Sequence, residues 1–293
     1  MLILISDAFD VSLAGKLEQF GEVTDDKTRL PEADIVLIRS KTKATREYIE
    51  SAPNLKLIIR GGVGTDNIDK ACAKERGILV RNTPTASSIA VAELTFAMML
   101  AVPNHIVAAH NGMVAGKWLK KEIKRTELFG KTLCLFGIGH IATEVARRAR
   151  GFGMSVTAFD PHVAESQWAE MRPTPAAAVT DADYISLHMP LTPETEGMIG
   201  ADLLSQMKTG VVVVNTCRGR VVDAAAMVKA LEDGKVAAYA TDVWQKDPPP
   251  EDDPILKAPN VLMIPHLGAS SKENLLRVGA EAVSIVEEFG NKG

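Results

Sequence analysis

Short runs of apolar, often β-branched residues recur along this chain, spaced so that a helix fits between one run and the next. They fall at residues 2–5, 35–38, 57–59 and 78–80, and again at 133–136, 156–159, 184–187, 211–214, 238–240 and 261–264. Each is too short for a helix and apolar on both faces, the pattern of a parallel strand covered on both sides. Parallel neighbours need crossovers of helical length, and the intervening segments supply them. The chain is therefore expected to be α/β, built from doubly wound parallel sheets. The runs form two series, so two sheets are expected, joined near Asn82-Thr83-Pro84. There a turn precedes an apolar stretch that reads as a helix over residues 87–100, which Pro103 must end or kink. Beyond residues 265–268, residues 271–289 read as one last helix, too little for a domain of its own. We therefore place residues 1–86 and 269–293 in one discontinuous domain and 87–268 in the other.

Composition narrows the class. A length of 293 residues suits about two domains. An apolar share of 46% and a charged share of 24% exclude a disordered or fibrous chain. Lys and Arg number 33 against 37 Asp and Glu, so the basic excess of a nucleic-acid binder is missing. The cysteines are Cys72, Cys134 and Cys217, an odd and scattered set that fits free thiols in a reducing compartment. The N-terminal MLILISDAFD lacks the basic start and long apolar core of a signal peptide. The most apolar later run, residues 89–102, contains Glu93 and falls short of the ~20 residues that span a membrane. The expectation is a cytoplasmic protein with no membrane or nucleic-acid partner and no metal site.

The strongest local motif is G-x-G-x-x-A at Gly137, Gly139 and Ala142, directly after the apolar run 133–136. Gly137 permits the tight turn, Gly139 lets the main chain approach a pyrophosphate, and Ala142 allows close packing of helix on strand. The helix behind it repeats apolar residues at Ile141, Val145 and Ala149, one face of a helix. Its N-terminus, with His140 and Ile141, offers free N–H groups to phosphate. Asp160 ends the next run about 20 residues on, where a carboxylate hydrogen-bonds the ribose hydroxyls and repels a 2′-phosphate. The cofactor expected is NAD.

Six further segments carry a resemblance. They are residues 60–67 (RGGVGTDN), 82–94 (NTPTASSIAVAEL), 188–192 (HMPLT), 215–219 (NTCRG), 241–244 (TDVW) and 265–270 (PHLGAS). In this order and spacing the chain resembles the NAD-dependent D-isomer-specific 2-hydroxyacid dehydrogenases, most closely their phosphoglycerate dehydrogenase branch. The resemblance implies a flavodoxin-like substrate domain, a Rossmann NAD-binding domain and a small acid held between them. It implies a catalytic set of Arg218, Asp247 and His266. The chemistry fits those residue types: imidazole accepts a hydroxyl proton near neutral pH, a carboxylate orients the ring, and guanidinium forks onto a carboxylate. Most members carry Glu where this chain has Asp247, one methylene shorter. Glu251 and Asp252, further along the stiff acidic loop KDPPPEDDP (residues 246–254), are its possible substitutes. Family cofactor contacts fall on Val63, His140, Ile141, Asp160, Met189, Thr216, Cys217, Asp242 and Gly268, with the glycine turn. His140 stands where Arg is common, and Met189 where Thr is frequent. Cys217 reads equally as small filler or as a reactive thiol, and nothing in the sequence indicates nucleophilic chemistry.

At the acid's other end the resemblance implies a nest of main-chain N–H groups at Val63 and Gly64. Arg39 and Arg60 match residues that take a distal phosphate, with Lys120 and Lys121 as further cations. The activity expected is oxidation of 3-phosphoglycerate to 3-phosphooxypyruvate, opening serine synthesis. Hydroxypyruvate, glyoxylate, lactate or sulfolactate are alternative acids, and an NAD-sensing corepressor-like scaffold is a further alternative. The apolar helix over residues 89–102 lies in the family's dimer interface, so a homodimer is expected. With Gly293 as the last residue, C-terminal regulatory domains and feedback through them are not expected.

Overall fold

In the computed structural model, which describes residues 1–291, every pair of neighbouring strands named below is parallel. The chain divides into two units, one made of Met1–Ala90 with the segment from Ala269 onward, the other of Val91–Gly268. Lys292 and Gly293 of the expected first domain lie outside the described residues.

The first unit holds β1 (Leu2–Ile5), β2 (Glu22–Thr24), β3 (Ile35–Ile38), β4 (Leu57–Arg60) and β5 (Leu79–Asn82), in the order β2-β1-β3-β4-β5. Alternate residues of the central strands feed opposite cores, as the period of two dictates. Leu4, Val36, Ile38 and Ile58 join one cluster. Ile3, Ile35, Leu37 and Ile59 join the other, where the helix Lys272–Gly290 covers them with Ala282 and Val286. Ser271 caps that helix by accepting the Asn274 N–H.

The second unit holds β6 (Thr132–Phe136), β7 (Ser155–Phe159), β8 (Glu170–Met171), β9 (Tyr184–Leu187), β10 (Val211–Asn215), β11 (Val236–Thr241) and β12 (Val261–Met263). Their order is β12-β11-β10-β9-β6-β7-β8, so the winding reverses between β6 and β9. The helix Ser88–Ala101 is largely spent on this unit's own core, where Ala92, Phe96, Met98 and Met99 pack with Leu133, Leu135 and Val145. A second helix, Ile106–Val114, follows at a bend of 64°. It and the loop after it leave Ile106, Val107, Met113, Val114 and Trp118 exposed. Ile89, at the start of the preceding helix, is exposed as well. No single helix among the described residues is long and apolar enough to cross a membrane.

Two strands, β2 and β8, were not expected. Both sit at sheet edges and are three and two residues long. Their outer flank has no neighbouring strand, so they need no two-faced apolar run to mark them.

Candidate active site

One row of paired residues crosses the second sheet at the carboxyl ends of its strands. Phe159 pairs with Phe136, Phe136 with Leu187, Leu187 with Asn215, Asn215 with Thr241 and Thr241 with Met263. The residues just past that row are Asp160, Gly137, His188, Thr216, Asp242 and Ile264. Ligands of open α/β sheets bind at this edge, above the point where the winding reverses.

At that point Gly137 has φ +89°, and a Cβ on it would lie 2.7 Å from the carbonyl oxygen of His188. Close approach of two main chains thus demands glycine there. Gly139 differs: a Cβ would meet nothing within 4 Å, so protein packing does not demand glycine at the helix entrance. The open space lies where a dinucleotide phosphate would approach the N-terminus of the helix His140–Gly151. Asp160 accepts the Ile138 N–H at 3.0 Å and the His162 N–H at 2.9 Å. The carboxylate is thereby tied to the glycine turn and keeps lone pairs for ribose hydroxyls. These residues fit a dinucleotide. His188 places Nε2 2.8 Å from Ser186 Oγ, and burial pushes its imidazole down to about 3.

The loop after β10 is folded by Asn215, which is fully buried. Its Oδ1 accepts the Cys217 N–H at 3.1 Å and the thiol at 3.2 Å, while Nδ2 donates to the Arg218 carbonyl at 2.9 Å and to Tyr239 OH at 3.2 Å. Arg218 donates from Nη1 to the Cys217 carbonyl at 2.6 Å. Gly219 is required by close approach, since a Cβ would stand 2.0 Å from the Trp244 carbonyl carbon. Thr216 shares a 3.1 Å hydrogen bond with Thr95 of the buried helix, so its hydroxyl is already partnered within the protein. Burial pushes the Cys217 thiol up to about 11. Met189 is buried in the core. Asn215 and Thr95 were not singled out from the sequence. Asn215 opens a motif that was quoted, but a buried amide leaves no local sequence signal.

His266 has φ +54°, an uncommon backbone for a residue with a side chain. The chain around it is fastened on both sides. Trp244 Nε1 donates to the Ile264 carbonyl at 3.1 Å. Asp242, buried at the end of β11, accepts the Leu267 N–H at 2.6 Å and the Gly268 N–H at 2.8 Å. Burial pushes the Asp242 carboxyl up, against the pull of those two bonds. A Cβ on Gly268 would come within 3.0 Å of the same carboxylate. Asp242, which the resemblance assigned to the cofactor, thus also anchors the His266 loop.

The side chain of Asp247 reaches His266, with Oδ2 2.5 Å from Nδ1. Trp244, Pro248, Pro249, Met263, Ile264 and Pro265 wall the apolar side of the pair. An ionised carboxylate only accepts, so toward one Nδ1 is the donor. Both side chains remain more than a third exposed. The shorter acid therefore makes the contact without help from Glu251 or Asp252.

In the first unit, β3 and β4 end side by side, with Ile38 paired to Arg60 and Arg39 one residue beyond. Arg39 donates from Nη1 to the Ala8 carbonyl and from Nη2 to the Ala269 carbonyl, both at 3.1 Å. Arg60 folds back over its own loop, with Nη1 donating to the Gly61 carbonyl at 3.2 Å. A Cβ on Gly62 would lie 1.6 Å from that Nη1, and one on Gly61 2.5 Å from the Phe9 ring. Asn82 Nδ2 donates to the Val63 carbonyl at 2.6 Å, and Asn67 Nδ2 donates to the carbonyls of Arg39 and Thr42 at 2.7 Å each. Asn67 and Asn82 lie in the quoted motifs, yet nothing in their spacing announced these braces. Among the described residues no cluster of His, Cys, Asp or Glu suits a metal ion.

Residues 96–268 match the family model described as "D-isomer specific 2-hydroxyacid dehydrogenase, NAD binding domain". The chain is 42% identical over 283 residues to a D-3-phosphoglycerate dehydrogenase of Methanocaldococcus jannaschii, covering 92% of this chain and 54% of that one. It is 44% identical over 264 residues to a hydroxypyruvate reductase of Thermotoga maritima, covering 89% and 86%. The chain thus spans about half the length of the phosphoglycerate dehydrogenase. Among solved structures, D-lactate dehydrogenase from Aquifex aeolicus, complexed with NAD and lactic acid, superposes with a TM-score of 0.89 at 29% identity, covering 100% of this chain and 96% of that one. A glyoxylate reductase from Paecilomyes thermophila superposes with a TM-score of 0.90 at 27% identity, with the same coverage.

Proposed function

The chain belongs to the D-isomer-specific 2-hydroxyacid dehydrogenase family, with an NAD-binding domain, and on that premise we propose that it oxidises 3-phosphoglycerate to 3-phosphooxypyruvate. The observation that carries the reading is the His266–Asp247 pair on the cofactor sheet's binding edge. NAD, when bound, supplies the acceptor for the hydride that leaves C2. The chain's own part is the proton. His266 Nε2 takes it from the C2 hydroxyl, and Asp247 favours the imidazolium that results. Arg218 holds the substrate carboxylate and polarises the C2 oxygen. We assign Arg39, Arg60, Val63 and Gly64 to the acid's anionic groups. The cofactor contacts proposed are the glycine turn, His140, Ile141, Asp160, Met189, Thr216, Cys217, Asp242, Gly268 and Val63.

A second acid is favoured by a specific observation. Both terminal nitrogens of Arg39 already donate to main-chain carbonyls, and the Thermotoga relative, matched over most of its length, is a hydroxypyruvate reductase. A panel of 2-keto acids with NADH and NADPH decides. The proposal expects NADH to be preferred and 3-phosphooxypyruvate to outrank hydroxypyruvate, glyoxylate and pyruvate in kcat/KM. It also expects Arg39→Ala to raise KM for the phosphorylated acid alone. Hydroxypyruvate ranking first would transfer the assignment to that acid. Absence of turnover on every acid would leave an NAD-binding scaffold. We also infer a homodimer, formed by a second copy covering the apolar surface of the Ile106–Val114 helix and Trp118.

A further inference from the structure

Four consecutive main-chain carbonyls in the first unit, from Arg60 to Val63, are all engaged within that unit. The Thr83 N–H is shared between the Arg60 carbonyl at 3.3 Å and the Gly62 carbonyl at 3.1 Å. Arg60 Nη1 donates to the Gly61 carbonyl at 3.2 Å, and Asn82 Nδ2 to the Val63 carbonyl at 2.6 Å. Three of the four are therefore held by Asn82, the last residue of β5, and by Thr83, the next one.

The N–H groups of the same loop divide differently. Gly61 donates to the Ile38 carbonyl at 2.8 Å, and Gly62 donates to Thr83 Oγ1 at 2.7 Å. The next two N–H groups, of Val63 and Gly64, make no hydrogen bond to another described residue. Val63 is exposed and Thr83 is fully buried. Gly62, at φ +138°, turns the main chain between them in a conformation open to glycine. Thr83 grips this residue twice, taking its N–H and donating to its carbonyl. Consecutive unpaired N–H groups make a concavity that attracts an anion. A loose carbonyl beside them would repel a carboxylate. Here the carbonyls are tied back, and what the loop has left to offer is positive.

We propose that Thr83 and Asn82 are positioning residues for the substrate carboxylate: by engaging the carbonyls of Arg60, Gly62 and Val63 they keep the N–H groups of Val63 and Gly64 turned to the acid. This rests on the assignment of an anionic group of the acid to Val63 and Gly64. The physical ground is the cost of the alternative. Without the Thr83 hydroxyl the buried Gly62 N–H has no acceptor, so the loop must shift to find one.

The test uses Thr83→Val, which keeps the shape and removes the hydroxyl, and Asn82→Ala. Steady-state kinetics with NADH are run on glyoxylate and hydroxypyruvate, with oxalate as a tail-free inhibitor. Each variant is expected to raise KM for both acids and Ki for oxalate by the same factor, roughly five- to tenfold, as for one lost hydrogen bond. NADH affinity, followed by fluorescence, should stay at the wild-type value. Thr83→Ser, which restores the hydroxyl, should return KM toward wild type. Hydrogen–deuterium exchange supplies a readout independent of turnover. Peptides spanning residues 60–66 should exchange faster in both variants, and those spanning 132–143 should not. In wild type with NADH, oxalate should slow exchange over 60–66. If oxalate gives no such protection, the anion assignment to Val63 and Gly64 fails and the inference falls with it. Protection in wild type with unchanged KM and Ki in both variants overturns the positioning role alone. So does a fall in kcat with KM and Ki unchanged, or unchanged exchange over 60–66 in both variants. If wild type turns over neither acid, oxalate protection measured in wild type and variants decides by the same criterion.

Discussion

His266 occupies the left-handed region, where a side chain costs on the order of 1 kcal/mol relative to ordinary backbone. The surrounding bonds hold it there; of these the sequence led us to expect the one from Asp247, and not those that fasten the main chain on either side. The sequence placed His266 and Arg218 past strand ends because the apolar runs stop just before them. It could not show that Asp242 grips the next two N–H groups, or that Asn215 folds the Arg218 loop, because such contacts join residues distant in the chain. His188 supports a prediction at this scale. Burial pushes its imidazole from the ordinary 6.5 down to about 3. Between those values the unfolded chain binds a proton at this site and the folded chain does not. Stability is therefore lost as pH falls from about 6.5 toward 3, where the folded protein resists the charge. Thermal melts from pH 7 to pH 4 should show a steeper decline for wild type than for His188→Gln. Parallel declines would mean that the ring is protonated in the folded state.

At the scale of elements, the apolar runs foretold the central strands because residues buried on two faces must be apolar in unbroken succession. The edges were less legible: β2 and β8 carry Glu at their first positions and are partly exposed. The buried helix Ser88–Ala101 was visible as an apolar stretch, yet the side it turns to its own sheet was not, since it is apolar nearly all round. The loop after β10 depends on contact between elements. Gly219 exists because the main chain of Trp244 passes against it, so Gly219→Ala must push apart the loops carrying Arg218 and Asp247. We expect a loss of about 2–3 kcal/mol in urea unfolding, typical of overpacking, together with reduced kcat. A urea midpoint equal to wild type would show that the loops separate without cost.

For the whole molecule, the parallel sheets were foreseen from the two series of runs, and both formed as expected. The assembly prediction rests on the exposed apolar side chains that follow the run the sequence suggested. Trp118 is 71% exposed and Val114 75%, whereas Phe96, Met98 and Met99 of the preceding helix are buried within their own unit. In sedimentation velocity the wild type should run as a dimer, and Trp118→Glu should weaken association by a factor of roughly 30 or more, as for an interface hot spot worth ~2 kcal/mol. A wild type that runs as a monomer at micromolar concentration would remove the dimer. The central claim concerns one proton. Its most direct measurement is kcat for NADH-dependent reduction of the preferred keto acid by His266→Ala, alongside NADH binding followed by fluorescence. We predict a fall in kcat of about 10²–10⁴-fold with NADH affinity retained. A variant that keeps near-wild-type kcat would contradict the account, because the proton would then travel by another route.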